Sequence, residues 1–273
     1  MTELALTGVA VAAVLYWLGS RGSRGTRARR ERQWRAQAFY AGLVAVALAI
    51  SPPLDGLADR LFWWHMVQHA LLQMVAPPLI VLGAPWLAVW RPVTSLGGRR
   101  RVSRWLVSSP LRRAARLFSA PAVAWVLFLG PIWLSHLPAV FDFAARHPLV
   151  HETEHLLFLG TGLLFWSRVL DSPPFRARLT RVRRFGFLFS AGIAEAALSL
   201  VILAQHAPLY APYKSLFPRP EHLTALADQQ LGGAIMLEPA SIPLLIAVIW
   251  SIGSLLGPRR NRAALSPADT SGV

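Results

Sequence analysis

The chain of 273 residues contains no cysteine and a single lysine. Without thiols there are no disulfides, no thiolate metal sites, no c-type haem attachment and no Cys-x-x-Cys copper motif. Any bound metal must therefore meet nitrogen, oxygen or thioether donors. Charge is scarce too: Asp, Glu, Lys and Arg make up 15% of the residues against 54% hydrophobic ones, and mean hydropathy is +0.43. Acid is scarcer than base, 13 against 28, for a formal net charge of +15. Such an excess invites a nucleic-acid reading. Its distribution argues against one, because the arginines lie in short connections between apolar runs of membrane-spanning length, where the positive-inside rule accounts for them.

What the sequence does have is seven apolar runs: Glu3 to Ser20, Ala36 to Ser51, Phe62 to Trp90, Ala120 to Val140, Pro148 to Leu170, Phe185 to Tyr210 and Gln229 to Leu256. A bilayer core of roughly 30 Å takes about 20 helical residues. The runs predict an all-α, polytopic bundle of seven transmembrane helices in one domain, 1–256, followed by a polar, disordered cytoplasmic tail, 257–273. The second run is short for a span, and Pro77-Pro78 predict a break or kink in the long third one. Lys and Arg number seven in 20–35, eight in 91–119, six in 168–184 and three after Leu256, whereas the alternate connections hold only Arg60, Arg146, Lys214 and Arg219. That split, 24 against 4, predicts the amino end outside and the carboxyl end in the cytoplasm. The apolar run from Leu4 to Leu18 is followed rather than preceded by arginines, the reverse of a cleavable signal peptide, and is read as the first span.

With this orientation all eight histidines fall on the outer side or in the outer half. His65 and His69 open the third run, His136 closes the fourth, His147, His151 and His155 open the fifth, His206 closes the sixth, and His222 follows in a loop. Histidines four apart share one helical face. Any one of them alone is more simply a hydrogen-bonded interfacial residue. Two such stripes on separate runs point instead to a metal site in a bundle core. Glu152 and Glu154 flank the fifth-run histidines. Glu195, near the middle of the sixth run, must be neutral, paired or metal-bound at that depth, an interhelical hydrogen bond being its plain structural role. Met66 and Met236 offer thioethers, which suit Cu(I), while Met74 reads as a core gap-filler. Gly232 and Gly233 permit close helix approach at the start of the seventh run.

Three stretches resemble the CtaG family of cytochrome c oxidase assembly factors. The first runs from His65-Met66-Val67-Gln68-His69-Ala70-Leu71-Leu72 into Ala76-Pro77-Pro78-Leu79 and Leu82-Gly83-Ala84-Pro85. The second is His147-Pro148 with His151 to His155-Leu156-Leu157-Phe158, and the third is Asp228-Gln229-Gln230-Leu231-Gly232-Gly233. They occur in order, and the likeness extends roughly from Phe39 to Trp250. The resemblance implies a multi-pass protein of the bacterial cytoplasmic (inner) membrane that helps mature a haem-copper terminal oxidase by supplying or inserting copper. An oxidase subunit and the lipid bilayer would be its partners, with no catalysis of its own and no nucleic acid. By position, the family's histidines correspond to His65, His69, His147, His151 and His155, and its last motif to Asp228 and Gln229. An unrelated single-span copper-delivery protein shares the family's name but uses cysteines, which this chain lacks.

The combined reading is a copper site, Cu(I) by ligand softness, held by His65, His69, His151 and His155 with Met66 or Met236, and with His147, Glu152 and Asp228 close by. Three alternatives stay open. Haem, ligated axially by two histidines, is one. Zinc, in a membrane hydrolase using the His151-Glu152-x-x-His155 pattern, is the second. Transport along a path past Glu195 is the third, although no polar route continues toward the cytoplasmic half. The oligomeric state is left open.

Overall fold

The structure, a computed structural model, describes residues 2–20, 26–86, 88, 117, 120–173, 179–214, 223–237 and 242–256. His222 and the tail 257–273 lie outside the described residues. Within them the architecture is all-helical. Helix α1 spans Thr2–Ser20, α2 Thr26–Ala49 and the short α3 Pro52–Ala58. Helix α4, Phe62–Ala70, passes through a π turn, Leu71–Val75, into α5, Ala76–Leu82. There follow α6 Pro121–Ser135, α7 Pro138–Arg146, α8 Pro148–Val169, α9 Arg181–Leu203, α10 Ala211–Lys214, α11 Ala225–Leu237 and α12 Ile242–Leu256. Proline opens α3, α6, α7 and α8, where its missing N–H needs no intrahelical partner.

By length and composition three helices are able to cross a membrane, Glu3–Ser20, Phe62–Leu82 and Arg181–Leu203. The number rises to five if each of two bent pairs is one span: α2 with α3, bent by 52°, and α6 with α7, bent by 79°. Of the seven predicted spans, then, three to five are supported in this way. Helix α8 is long enough at 22 residues, but His151, Glu152, Glu154, His155 and Arg168 dilute its apolar character. The last predicted span is described as two helices, α11 and α12, with residues 238–241 outside the description.

The rod made by α4, the π turn and α5 is the axis of the bundle: 67% of an 18-residue apolar stretch in it is buried, against 11% of the matching stretch in α1 and 33% in α9. Helix α2 packs on α5, α11 on α4 and α9, and α8 on α6, α5 and the π turn. The predicted break at Pro77-Pro78 takes a different form. The two prolines sit in the first turn of α5, and the turn before them widens into π geometry, which accommodates the missing donors without a sharp bend. The carbonyl of Gln73, four residues before Pro77, accepts a hydrogen bond from Trp166 Nε1 at 3.4 Å. Gly162 makes that approach possible, since a Cβ there would lie 2.7 Å from Pro77 Cγ and 3.0 Å from Gln73 O. Large apolar side chains such as Val44, Val126, Leu156, Ile193 and Ile246 point outward, as they do in a protein whose solvent is lipid.

Candidate metal centre

The i, i+4 spacing on α4 and α8 brings two histidine stripes face to face. His65, His69 and His151 each present a ring nitrogen, all within 4.8 Å of one another, and form the one such group of three or more among the described residues. Ring centroids lie 4.2 Å apart for His65–His69, 4.9 Å for His65–His151 and 4.2 Å for His151–His155, and 5.7 Å separates His69 from His155. Small ring rotations bring such nitrogens to the roughly 3.3–3.5 Å separation they have around one tetrahedral ion. Both ring nitrogens of His69, and Nε2 of His151 and of His155, are buried with no hydrogen-bond partner. Unmade bonds at buried positions are costly; each neutral ring offers one lone pair, which a cation would engage, and its other nitrogen carries a hydrogen.

Tyr213, from α10, fixes the first ring. Its hydroxyl donates to Ala58 O at 2.7 Å and lies 3.1 Å from His65 Nδ1. Burial and the nearby Asp228 push the phenol well above its usual range, so it stays a neutral donor. Its single hydrogen being committed to Ala58, the contact with His65 requires Nδ1–H to donate, which leaves the lone pair on Nε2. Outside the histidines opens a cavity of about 440 Å³ lined by His65, His151 and His155 together with Asp55, Asp59, Glu152 and Tyr213. Gln68 Nε2 donates to Ala49 O at 2.7 Å and to Asp55 Oδ1 at 2.9 Å, holding that carboxylate at the cavity. Burial and the neighbouring Asp55 raise the pKa of Asp59 from its ordinary value, and His151 partly offsets them.

The remaining predicted residues lie elsewhere. Met66 and Met236 line a second, smaller cavity of about 20 Å³, deeper in the bundle, that His69 also borders. There Met66 Sδ is 3.2 Å from His136 Nε2. His147 caps the start of α8, stacks on Phe143 at 4.1 Å and bonds Phe143 O through Nδ1, apart from the cluster. His206 is exposed beyond α9. Asp228 is buried and accepts from Phe62 N and Trp63 N, both at 3.0 Å. It thereby caps α4, whose own N-cap residue, Leu61, has no side chain able to do so. Gln229 Oε1 accepts from Leu209 N at 2.6 Å. A Cβ on Gly232 would collide with Phe62 and crowd Met66. The third motif is therefore a fastening that sets the position of α4. Glu195 makes no interhelical hydrogen bond: both carboxylate oxygens are buried without a partner among the described residues.

Three contributors went unread in the sequence: Asp55, Asp59 and Tyr213; His136 was counted among the outer-side histidines but not among the ligands. The first two are an i, i+4 carboxylate pair within ten residues of His65, a signal that was available. Tyr213, far away in sequence, carried none.

A sequence profile for the family described as cytochrome c oxidase caa3 assembly factor (Caa3_CtaG) matches residues 14–256. An uncharacterised protein of Mycobacterium leprae (strain TN) is 26% identical over 220 residues, 79% of this chain and 33% of its own length. Uncharacterised proteins of Mycobacterium bovis and of Mycobacterium tuberculosis are each 28% identical over 220 residues, with the same coverage. The chain thus spans about a third of the length of these relatives. No solved structure matches.

Proposed function

The chain belongs to the cytochrome c oxidase caa3 assembly factor family, and from that premise we propose that it receives copper at its outer face and hands the ion to a subunit of a haem-copper oxidase. In this reading it is a seven-span protein of the bacterial cytoplasmic membrane, amino end outside, and copper is its cargo. His65, His69, His151 and His155 take the ion. Asp55, Asp59 and Glu152 give the outer cavity a negative lining that attracts cations, and Tyr213 sets the His65 tautomer. The observation that carries the proposal is the convergence of His65, His69 and His151 nitrogens within 4.8 Å from two different helices. Imidazole donors with no thiol nearby suit a metal held in oxidising surroundings and then released.

The test is metal analysis of the purified protein after copper loading, with His69→Ala and His155→Ala beside the wild type. Copper retention is expected to fall in both variants. Equal retention in all three proteins would end the proposal, and a Soret band in the same preparation would replace copper by haem. A zinc hydrolase is the second reading, favoured by one observation: Glu152 of the His151-Glu152-x-x-His155 pattern lines the same cavity as both of its histidines. Zinc-dependent peptide cleavage abolished by Glu152→Gln would establish it.

A further inference from the structure

The small cavity beneath the histidine cluster has chemistry of its own. His136, the C-cap of α6, directs Nδ1 at Ile132 O at 2.7 Å, and a carbonyl can only accept, so in the neutral ring Nδ1 carries the hydrogen. The lone pair of Nε2 then faces Met66 Sδ at 3.2 Å with no hydrogen to place between them. Two lone-pair donors meeting in this way gain nothing from each other. Around a single ion, however, a nitrogen and a sulfur at about 2.0–2.3 Å from the metal lie roughly 3.2–3.6 Å apart. The same cavity is bordered by the Met236 thioether and by Glu195, which is 3% exposed and has no partner for either carboxylate oxygen. Ser199, next on that face of α9, gives its hydroxyl to Glu195 O of the backbone and leaves the carboxylate alone. Gln73 turns its amide nitrogen to Phe128 O at 2.7 Å, so its unpartnered Oε1 adds another lone pair.

We propose that this inner cavity is a second cation site, distinct from the histidine cluster, that holds one soft monovalent ion between His136 Nε2 and Met66 Sδ, with Met236 as a further thioether and Glu195 as the balancing charge. Its volume, about 20 Å³, leaves room for one small occupant. A monovalent cation beside one carboxylate is neutral overall, which is what burial at this depth requires. Thioether and imidazole select Cu(I) over harder divalent ions. His69 belongs to the outer cluster and also borders the inner cavity, so one ring joins the two sites. The identity of the ion rests on the copper reading above, whereas the donor geometry does not.

The experiment is anaerobic Cu(I) titration of the full chain in nanodiscs against a competing chelator, with X-ray absorption at the copper edge. Met66→Leu, close in volume, and Glu195→Gln, close in shape, accompany the wild type, and the outer pair His65→Ala/His151→Ala serves as the counterpart. The wild type is expected to bind copper with sulfur among its neighbours. Met66→Leu should bind one ion fewer and lose the sulfur signal. Glu195→Gln should weaken the same ion by about ten-fold, while the outer pair keeps the sulfur-ligated ion. Copper bound with nitrogen and oxygen neighbours alone, and unchanged by Met66→Leu, would overturn the inner site and leave the outer one standing. No copper bound by the wild type would overturn both. Because the sulfur signal is read on the wild type, the proposal does not depend on how well any variant folds.

Discussion

Tyr213 acts on His65 through a hydrogen bond whose direction is set by a third group, the Ala58 carbonyl. Tyr213→Phe keeps the ring packing against Phe62 and Phe141 but frees His65 to place its proton on either nitrogen. Copper affinity is expected to drop about ten-fold, as for other partners of ligating imidazoles, with a stability loss of about 1 kcal/mol. Chelator competition and thermal melting in detergent measure the two effects. An unchanged affinity would show that the tautomer of His65 is set in some other way. The histidines themselves were legible because residues four apart on a helix must share a face. The contact between Met66 and His136 was not, since it joins the middle of one helix to the end of another 70 residues on. Asp228 shows the same limit in reverse. An acid in a stretch that resembles a metal-handling family reads as a ligand until Phe62 N and Trp63 N are found on its oxygens.

Helix α4 presents His65 and His69 at an angle that the π turn fixes relative to α5. Replacing Pro77 and Pro78 together by alanine restores two N–H donors and lets the turn tighten to α geometry, and a shift of one residue in register turns a helix face by about 100°. Copper retention, read by metal analysis, is then expected to fall toward the level of His69→Ala although every ligand remains. Retained copper in that double variant would remove the π turn from any role in the site. From sequence, the proline pair announced an irregularity but not its form. The form depends on Trp166 and Gly162 of α8, which supply the hydrogen bond and the room that make a widened turn cheaper than a break. Element boundaries followed the same logic. Helix α2 begins at Thr26, ten residues before its apolar run, because arginine is a good helix former and carries the helix beyond the apolar stretch on its amino-terminal side.

At the scale of the molecule, arginine asymmetry predicts orientation, and hydropathy predicts the number of crossings. The second signal weakens where function intrudes, since the helix with the most potential ligands, α8, is the one that its own Glu and His residues keep below the apolar threshold. Fusions at residue 256 decide the orientation: a fluorescent protein is expected to glow there and alkaline phosphatase to stay inactive, as for a cytoplasmic end. The opposite pair of results would invert the bundle and put the histidine cluster on the cytoplasmic side. Either way the cluster, the π turn and the fastening by Asp228 remain one packed unit, because α11 packs on α4 while α8 packs on the π turn and α5 that continue it.

The wall of the outer cavity includes Leu4 and Ala5, on a helix that meets the rest of the bundle mainly through α2. Whatever is joined ahead of Leu4 therefore emerges beside the mouth of the cavity. A polyhistidine purification handle placed there would crowd the entrance with foreign imidazoles and distort every stoichiometry measured on the protein, so the handle belongs at the opposite terminus.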